Sequence, residues 1–421
     1  MEKTRRKAQG KKVQVVGRQR RLALGQVLLD VRADFWELML TGGMAVAAAL
    51  FEEDLEQLCG KRYGRKGEES GHAERWGRQR GRVVLGGRKV RLTRPRARLG
   101  GEEIALPTYV SLQREDPLND RALEQMLIGV STRNYRRSLE PVLGGLAESV
   151  VDKSSVSRRF VLMTEERLRA ALVRPLGGIK WAALMIDGIN FAEHTVVVAL
   201  GIDASGKKHL LGLREGSTEN RTLCKEMLSD LVGRGLPVDR ALLIVIDGGK
   251  GLRQAVRDVF AQHGIVHRCQ VHKTRNVLDQ LPDTKKPSVR TALNEAYNAE
   301  SYELALKLLK NLIRVLEKDH PGAAASLREG LEETLTVKRL GLTGALEKTL
   351  RTTNPIENLN GGIRRISSRV KRWRSGSMVL RWAGAAALEA EKHFHRLKGY
   401  KAMPSLLAAL RNHDRQLAAA A

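Results

Sequence analysis

"ALLIVIDGG", residues 241–249, is the clearest indication of the fold class in this chain. Residues 241–246 are all apolar and rich in β-branched side chains, which predicts a strand buried on both of its faces. Strands of this kind belong to sheets that are flanked by helices. The strand ends at Asp247, which two glycines follow. "WAALMIDG", residues 181–188, has the same form and brings Asp187 to the end of a second apolar run.

The segments around these two runs complete an α/β pattern. Three more strands are predicted at "HTVVVALGID" (194–203), "KKHLLGLREG" (207–216) and "IVHRCQV" (265–271), and two helices at "NRTLCKEMLSDLVGRG" (220–235) and "KGLRQAVRDVFAQHG" (250–264). This order predicts a mixed sheet flanked by helices. Between residues 285 and 350 the strand signals are lost, and amphipathic patterns predict an all-α unit.

The region before the sheet is strongly basic. Nine of the first 21 residues are Lys or Arg, which predicts a basic arm, and residues 61–98 hold fourteen Lys or Arg against three acids. Within them, "RVVLGGRKVRL" (82–92) predicts a hairpin that turns at Gly86–Gly87. This ribbon is predicted to contact DNA, with a solvated sheet face as the alternative. Three helical segments between residues 119 and 172 then fit a helix-turn-helix, and a plain helical linker is the competing interpretation.

These patterns divide the chain into six parts. We assign a basic DNA-binding region with a hairpin (1–115), a helix-turn-helix domain (116–176), the first part of an α/β core (177–284), an all-α insertion (285–349), the final helices of the core (350–400) and a C-terminal tail (401–421).

Composition restricts the class of partner. Lys and Arg number 74 against 47 Asp and Glu, for a net charge of +27, which favours a polyanionic partner and above all nucleic acid. Apolar stretches fall far short of the ~20 residues that a membrane span needs. The first residues lack the apolar segment of a secretory signal. Three scattered cysteines argue against a disulfide framework and predict a cytoplasmic protein.

Asp187 and Asp247 are the first candidate catalytic residues. Open α/β sheets bind ligands beyond the carboxyl ends of their strands, where an Asp on a rigid strand can hold a divalent cation. Two such cations can activate a hydroxyl and stabilise a leaving oxygen in phosphodiester chemistry. The alternative is that both residues only form turns. For Asp203 in "DASG" the turn role is preferred, whereas Glu193 and Glu219 are candidates for supporting groups near the sheet loops.

"HGIVHRCQVH" (263–272) contains four nominal zinc ligands: His263, His267, Cys269 and His272. If the strand continues, alternation places His267 and Cys269 on one face and His272 on the other, which disfavours a closed tetrahedral site. Cys269 and His272 are therefore predicted to pack or to form hydrogen bonds near the catalytic residues.

"RTTNPIENLNGG" (351–362) contains the third candidate, Glu357. Asn354 as the cap, Pro355 in the first turn and Glu357 as the third residue of a capping box form an ordinary helix start. A metal ligand would occupy the same position, so both interpretations remain open. An apolar stripe of Ile356, Leu359, Ile363 and Ile366 leaves Glu357 on the other face, alongside Asn360 and Arg364.

Four ordered blocks give the chain a resemblance. "LMIDGIN" (184–190), "VIDGGKGLRQAV" (245–256), "HRCQVHKTRNVLDQLP" (267–282) and "TTNPIENLNGGIRR" (352–365) with "VKRWR" (370–374) resemble the Mutator-type transposases of bacterial insertion sequences, which are DDE enzymes. The resemblance implies a ribonuclease-H-like α/β core with an all-α insertion, and Mg²⁺-dependent cleavage at terminal inverted repeats with transfer of strands into target DNA. One departure is the pair Gly361–Gly362, which predicts an irregular helix after Glu357.

The resemblance assigns roles to the residues above. It implies that Asp187, Asp247 and Glu357 are catalytic and hold two Mg²⁺ ions, with Mn²⁺ as an alternative, while Cys269 and His272 support the site or contact DNA. The expected DNA-binding residues are basic or polar and are Arg88, Lys89, Lys153, Ser157, Arg158, Arg159, Arg364, Arg365, Arg369, Lys371, Arg372, Trp373 and Arg374, with Trp373 offered for base stacking.

The expected partners are double-stranded DNA, as inverted repeats and target, and further copies of the chain in a homodimer or larger homo-oligomer. The expected location is the bacterial cytoplasm, at the nucleoid, without a membrane. Two other functions remain as alternatives: a DNA-binding regulator without catalysis, and a ribonuclease-H-like nuclease or resolvase that cleaves without joining.

Overall fold

The computed structural model describes residues 37–62, 73–85, 88–114, 119–131, 134–135, 153–218 and 220–420. The chain forms two compact units, one ending at Phe160 and the other beginning at Val161. The predicted basic arm, the turn Gly86–Gly87 and most of the second helix of the predicted helix-turn-helix lie outside the described residues.

The first unit combines helices with a small antiparallel sheet. Its elements are α1 (37–59), β1 (Glu74–Leu85), β2 (Arg88–Leu99), β3 (Glu102–Ile104), α2 (Pro107–Arg114), α3 (Asn119–Ile128) and the start of α4 (Lys153–Leu172). β1 and β2 pair from Glu74↔Arg98 to Leu85↔Arg88, so the predicted hairpin strands are confirmed and are longer than expected. Phe51, Val83 and Leu106 are buried in the core between the helices and the sheet.

The second unit contains a five-stranded mixed sheet. Its strands are β4 (Trp181–Phe191), β5 (His194–Asp203), β6 (Lys208–Gly216), β7 (Leu242–Ile246) and β8 (Gly264–Arg268), in the spatial order β6-β5-β4-β7-β8. β4, β5 and β6 pair antiparallel, whereas β4, β7 and β8 pair parallel. Each of the five predicted strands is present. β7 is buried along its whole length, as its uninterrupted apolar sequence requires.

Helices cover both faces of this sheet. Alternate side chains of β4 point to opposite faces: Leu184 and Ile186 enter one apolar cluster, and Ala183 and Met185 enter the other. The first cluster is completed by α5 (Arg221–Gly233) and α6 (Lys250–Phe260), and the second by α13 (Asn354–Ser367), α14 (Gly376–Glu391) and α15 (Met403–Ala420). α15 occupies the segment predicted as a tail, and its Leu406 is fully buried.

Residues 270–350 are mainly helical, and those between 277 and 335 form a core of their own. Residues 270–350 comprise α7 (Gln270–Leu278), α8 (Lys286–Tyr297), α9 (Tyr302–Asp319), α10 (Pro321–Arg328), a 3₁₀ turn (Glu332–Leu335), α11 (Thr336–Arg339) and α12 (Gly344–Leu350). Leu293, Leu309 and Leu327 are fully buried at its centre. A buried ion pair between Arg268 Nε and Glu333 Oε2, 2.8 Å long, joins the end of β8 to this core.

Candidate functional site

Asp187 and Asp247 lie side by side where two parallel strands stop pairing. The last pair between β4 and β7 is Ile186↔Ile246, so the two aspartates are the next residues along both strands. The prediction that the strand ends at Asp187 is wrong: β4 continues to Phe191 because β5 keeps pairing with it, Asp187 opposite Val198. The end of β7 before Asp247 is confirmed.

The chain turns sharply after Asp247. Gly248 has a φ of +109°, a backbone conformation that glycine adopts without strain. The turn lets Asp247 Oδ1 accept a hydrogen bond from the backbone N–H of Gly249 at 2.9 Å, just before α6 begins. Asp247 is thereby held at the sheet edge by its own loop.

Asp187 carries the electrostatic signature of the site. Burial and, after it, the negative charges of Asp247 and Glu357 together raise its pKa to about 6, against the opposing effects of His272 and the backbone N–H of Gly188. Three carboxyl groups from distant parts of the sequence therefore lie close enough to repel one another. The structure brings together all three predicted catalytic residues.

Asn360 completes the surroundings of Asp187, a contact that the sequence does not predict. Its Nδ2 donates a hydrogen bond to Asp187 Oδ2 at 2.7 Å, and the residue is 1% exposed. The expectation that Asn360 lies with Glu357 on a polar face is thus wrong in part, because Asn360 is covered by the sheet edge. Helical periodicity contains no signal for this contact, since its partner is 173 positions away.

Glu357 lies in the first turn of α13, but the predicted capping box is absent. Thr353, not Asn354, is the N-cap residue, and it makes no side-chain capping hydrogen bond. Instead Thr353 Oγ1 donates a hydrogen bond to Glu357 Oε1 at 2.5 Å. The helix also continues without interruption through Gly361–Gly362 to Ser367, contrary to the predicted irregularity. Its Ile356, Leu359 and Ile363 are buried as predicted.

Cys269 and His272 lie against the start of α13. β8 ends at Arg268 and α7 begins at Gln270, so the predicted alternation of His272 to the far face is wrong. Thr353 Oγ1 lies 3.3 Å from Cys269 Sγ and 3.3 Å from His272 Nδ1, and His272 Nδ1 is 3.7 Å from Glu357 Oε1. Cys269 and His272 thus contact Thr353 beside Glu357, in hydrogen bonds of the kind that the sequence predicts for them.

The charges of this group are coupled. Burial would raise the pKa of Cys269, but hydrogen bonds with His272 and Thr353 outweigh it and lower that pKa. The pKa of His272 is raised by the hydrogen bond with Cys269, against the effect of burial, and by the charges of Glu357 and Asp247. The hydrogen bond between Cys269 and His272 therefore lowers the pKa of the thiol and raises that of the imidazole beside Glu357.

The other candidates lie elsewhere or outside the described residues. His263 Nδ1 is 3.0 Å from Asp414 Oδ1, and His267 is fully buried, which lowers its pKa to about 4. Glu193 is exposed in the β4–β5 turn, and Glu219 lies outside the described residues. Asp203 is a turn former, as predicted, because its Oδ1 accepts hydrogen bonds from the backbone N–H groups of Ser205 and Lys207.

The basic side chains that follow Glu357 face solvent. The exposed residues of this group are Arg364, Arg365, Arg369, Lys371, Arg372 and Arg374. Trp373 is not freely available for base stacking, because its ring meets Phe191 edge-on at 5.2 Å and packs against the core. On α4 in the first unit, three of the predicted DNA-binding residues are exposed, Lys153, Ser157 and Arg158, and Arg159 is half-buried. Two others, Arg88 and Lys89, lie in β2, and the structure does not describe their side chains.

No helix within the described ranges is both long and apolar enough to cross a membrane.

Comparison with known proteins identifies a family for this chain. The model of the family "Transposase, Mutator family" matches residues 28–396.

Individual relatives agree with this match. The chain is 28% identical over 395 residues to the transposase for insertion sequence element ISRM5 of Rhizobium meliloti, covering 91% of this chain and 94% of the relative. It is 30% identical over 247 residues to the transposase for IS6120 of Mycolicibacterium smegmatis, covering 56% and 73%, and 31% identical over 237 residues to that for IST2 of Acidithiobacillus ferrooxidans, covering 53% and 78%. The chain belongs to the Mutator family of transposases.

Proposed function

We propose that this transposase moves an insertion sequence by binding its terminal inverted repeats, cleaving DNA strands and joining the 3′ ends to target DNA, with a ribonuclease-H-like catalytic unit. The observation that carries the proposal is the meeting of Asp187, Asp247 and Glu357, where burial and then the charges of the other two acids raise the pKa of Asp187 to about 6. The strand order β6-β5-β4-β7-β8, three antiparallel strands followed by two parallel ones, supports the fold assignment.

The donor set suits two Mg²⁺ ions, or Mn²⁺ in their place. Mg²⁺ prefers carboxylate oxygens, and the three acidic side chains supply them at one edge of the sheet. The described hydrogen bonds engage Oδ2 of Asp187, Oδ1 of Asp247 and Oε1 of Glu357. Because a carboxylate has two oxygens, each residue can bind a cation while it keeps this hydrogen bond. Positive charge there also relieves the repulsion among the three groups.

The residues around the carboxylates orient them. When bound, two divalent cations supply activation of the attacking hydroxyl and stabilisation of the leaving 3′ oxygen. Asn360 fixes the side chain of Asp187, and the loop at Gly249 fixes Asp247. Thr353 and His272 hold Glu357, with Cys269 beneath them. Rigid donors of this kind keep reacting groups in place and raise the reaction rate.

The exposed basic segment after Glu357 is proposed to bind DNA phosphates close to the site, while the hairpin and the helices between residues 119 and 172 bind the terminal repeats. Each phosphate contact contributes about −0.9 to the slope of log affinity against log salt for duplex DNA. Replacing Arg364, Arg369 and Lys371 by Gln should therefore make this slope shallower by roughly 2–3. An unchanged slope would remove this segment from the DNA-binding surface. We further propose that the active form is a homodimer or a larger homo-oligomer.

Glu357→Gln tests the catalytic assignment most directly. Gln can still accept the hydrogen bond from Thr353 but lacks the charge that Mg²⁺ requires. We expect stability within about 0.5 kcal/mol of the parent and loss of Mg²⁺-dependent cleavage and joining on DNA that carries the terminal repeats. Parent-like cleavage by the variant would leave Glu357 without a catalytic role. Repeat binding without cleavage in the parent would identify a regulator, and cleavage without joined products a nuclease or resolvase.

A further inference from the structure

The side chains of Cys269, His272 and Glu357 converge on one point. One ligand atom from each, Sγ, a ring nitrogen and a carboxylate oxygen, lies within 4.8 Å of the other two. Cys269 directly precedes α7 and His272 lies in its first turn, so a spacing of three residues places both on the same side of the helix start. Glu357 reaches the same point from the first turn of α13. Each ligand atom thus comes from the start of a helix.

The distances are close to those of a tetrahedral metal site. Zn²⁺ binds sulfur at about 2.3 Å and nitrogen or oxygen at about 2.1 Å, which puts neighbouring ligand atoms roughly 3.5 Å apart. His272 Nδ1 and Glu357 Oε1 are already 3.7 Å apart. The widest pair, at most 4.8 Å, must close by only about 1 Å. His272 and Glu357 are partly exposed and open a path from solvent, while Cys269 is fully buried beneath them.

The kinds of atom select the ion. Thiolate and imidazole favour Zn²⁺ and related ions, whereas Mg²⁺ favours oxygen. We propose that Cys269, His272 and Glu357 form a second cation site, selective for a thiophilic divalent cation such as Zn²⁺, and that filling it withdraws Glu357 from the Mg²⁺-binding set. Cys269 binds as the thiolate and His272 as the neutral imidazole, so the proton held by this hydrogen-bonded pair passes to solvent on binding, and water completes the coordination. The inhibitory consequence rests on the proposed function, whereas the existence of the site does not.

Thr353 lies beside Glu357 whether Glu357 belongs to the Mg²⁺-binding set or binds a cation together with Cys269 and His272. Its hydroxyl now lies beside all three ligands and donates to Glu357 Oε1 at 2.5 Å. A cation among the three ligands replaces this donor in neutralising the carboxylate. Glu357 therefore has two alternative partners, Thr353 with the catalytic set or the thiophilic ion with Cys269 and His272.

Titration of the full-length, metal-free protein with Co²⁺ tests the site without DNA. A thiolate bound to Co²⁺ gives a near-ultraviolet charge-transfer absorption, which we expect for the parent and for Cys59→Ser, a control in the first unit. Cys269→Ser should lose the absorption. Because this variant could also fail to fold, His272→Gln provides a second test: it keeps the thiol and should weaken Co²⁺ binding at least about tenfold. Absence of the band in the parent, or its persistence in Cys269→Ser, overturns the proposal.

Zn²⁺ inhibition tests the link to catalysis. At fixed Mg²⁺, Zn²⁺ should inhibit strand cleavage by the parent and by Cys59→Ser at similar concentrations. In Cys269→Ser, with each rate normalised to its own Zn²⁺-free value, half-inhibition should need at least about tenfold more Zn²⁺. Equal inhibition of both variants overturns the shared role of Glu357. A parent that binds Co²⁺ through Cys269 but does not cleave DNA counts against the proposed function alone.

Discussion

Asp203 and Asp187 belong to the same pair of strands, but the pKa of Asp203 is lowered from its ordinary value and that of Asp187 is raised. At one end of the pair, Asp203 closes the β5–β6 turn, opposite Trp181. Burial would raise its pKa, but hydrogen bonds from His209, Ser205 and Lys207 outweigh it and lower the pKa. Farther along β4, where its parallel pairing with β7 stops, burial and the charge of Asp247 raise the pKa of Asp187 to about 6.

The difference separates an aspartate whose charge is stabilised within its own turn from one that we propose binds a cation. Asp203 Oδ1 accepts from Ser205 N at 2.8 Å and from Lys207 N at 3.0 Å, so its charge is satisfied within its own turn. Asp187 accepts one side-chain hydrogen bond, from Asn360, and faces two other acids. A carboxylate that is unfavourable in the free protein gains most when a cation arrives. The raised pKa of Asp187 is therefore what the proposed cation site requires.

The largest effect is expected on catalysis. Asp187→Asn or Asp247→Asn should lower Mg²⁺-dependent cleavage and joining by on the order of 10³–10⁴-fold, because each removes a charged ligand. Affinity for terminal-repeat DNA, measured by gel shift, should stay near that of the parent. Asp203→Asn is the matched control and should cleave at the parent rate. If Asp203→Asn were as inactive as Asp187→Asn, the contrast between the two ends of the sheet would fail.

A second prediction concerns the stability of the metal-free protein. Asp187 has a folded-state pKa of about 6 and an ordinary value of 3.8, so its stabilising effect is present below pH 4 and is lost as pH rises through 6. The Asp187→Asn variant does not lose stability in this way, because Asn does not ionise. Between pH 4 and pH 8 in chelator, the free energy of unfolding of the variant relative to the parent should rise by up to about 3 kcal/mol.

Urea unfolding at the two pH values measures this change, and added Mg²⁺ should stabilise the parent more than the variant at pH 8. If the difference in free energy of unfolding between variant and parent did not depend on pH, the carboxylate of Asp187 would not be destabilised in the folded protein.

Asn360 offers a smaller test of the same end of the sheet. Asn360→Leu keeps the branching and the number of non-hydrogen atoms of the side chain but removes the donor to Asp187 Oδ2. We expect the Mg²⁺ concentration for half-maximal cleavage to rise about tenfold, as for loss of a residue that orients a metal ligand. The Mg²⁺-induced rise in melting temperature should shrink in parallel. Asn358→Ala, an exposed position in the same helix, should change neither quantity. A parent-like Mg²⁺ response in Asn360→Leu would leave Asn360 with a packing role only.

Much of the sheet could be predicted because its signals are local. The apolar run 241–246 determines a buried strand, and Asp247 after it needs no information from elsewhere in the chain. The continuation of β4 beyond Asp187 was not predictable in this way, because pairing with β5 causes it. Likewise α13 passes through Gly361–Gly362, at roughly 1 kcal/mol per glycine, because burial of Leu359 and Ile363 outweighs the weak local preference.

The site was only half predictable, for a related reason. Asp187, Asp247 and Glu357 stand in recognisable blocks of sequence, whereas Thr353 and Asn360 act through partners 84 and 173 positions away. Helical periodicity placed Asn360 on a polar face, and only the tertiary structure shows that the polar face meets the sheet edge. The wrong strand assignment at residues 269–271 also hid the proximity of Cys269 and His272, which depends on the start of α7.

The smallest effect is expected at Asp203 itself. Asp203→Asn keeps the shape of the turn but weakens the charge-assisted hydrogen bonds to the backbone N–H groups of Ser205 and Lys207 and to His209. We expect a loss of about 1 kcal/mol in the free energy of unfolding at pH 7. Because the folded-state pKa of Asp203 is lowered, this stabilisation is present above the ordinary pKa and is lost as pH falls through the folded value. The difference between variant and parent in urea unfolding should therefore shrink on acidification, opposite in sign to that of Asp187→Asn. A difference that grew at low pH would mean that Asp203 is also held under repulsion, and the two ends of the sheet would no longer be distinguished by charge.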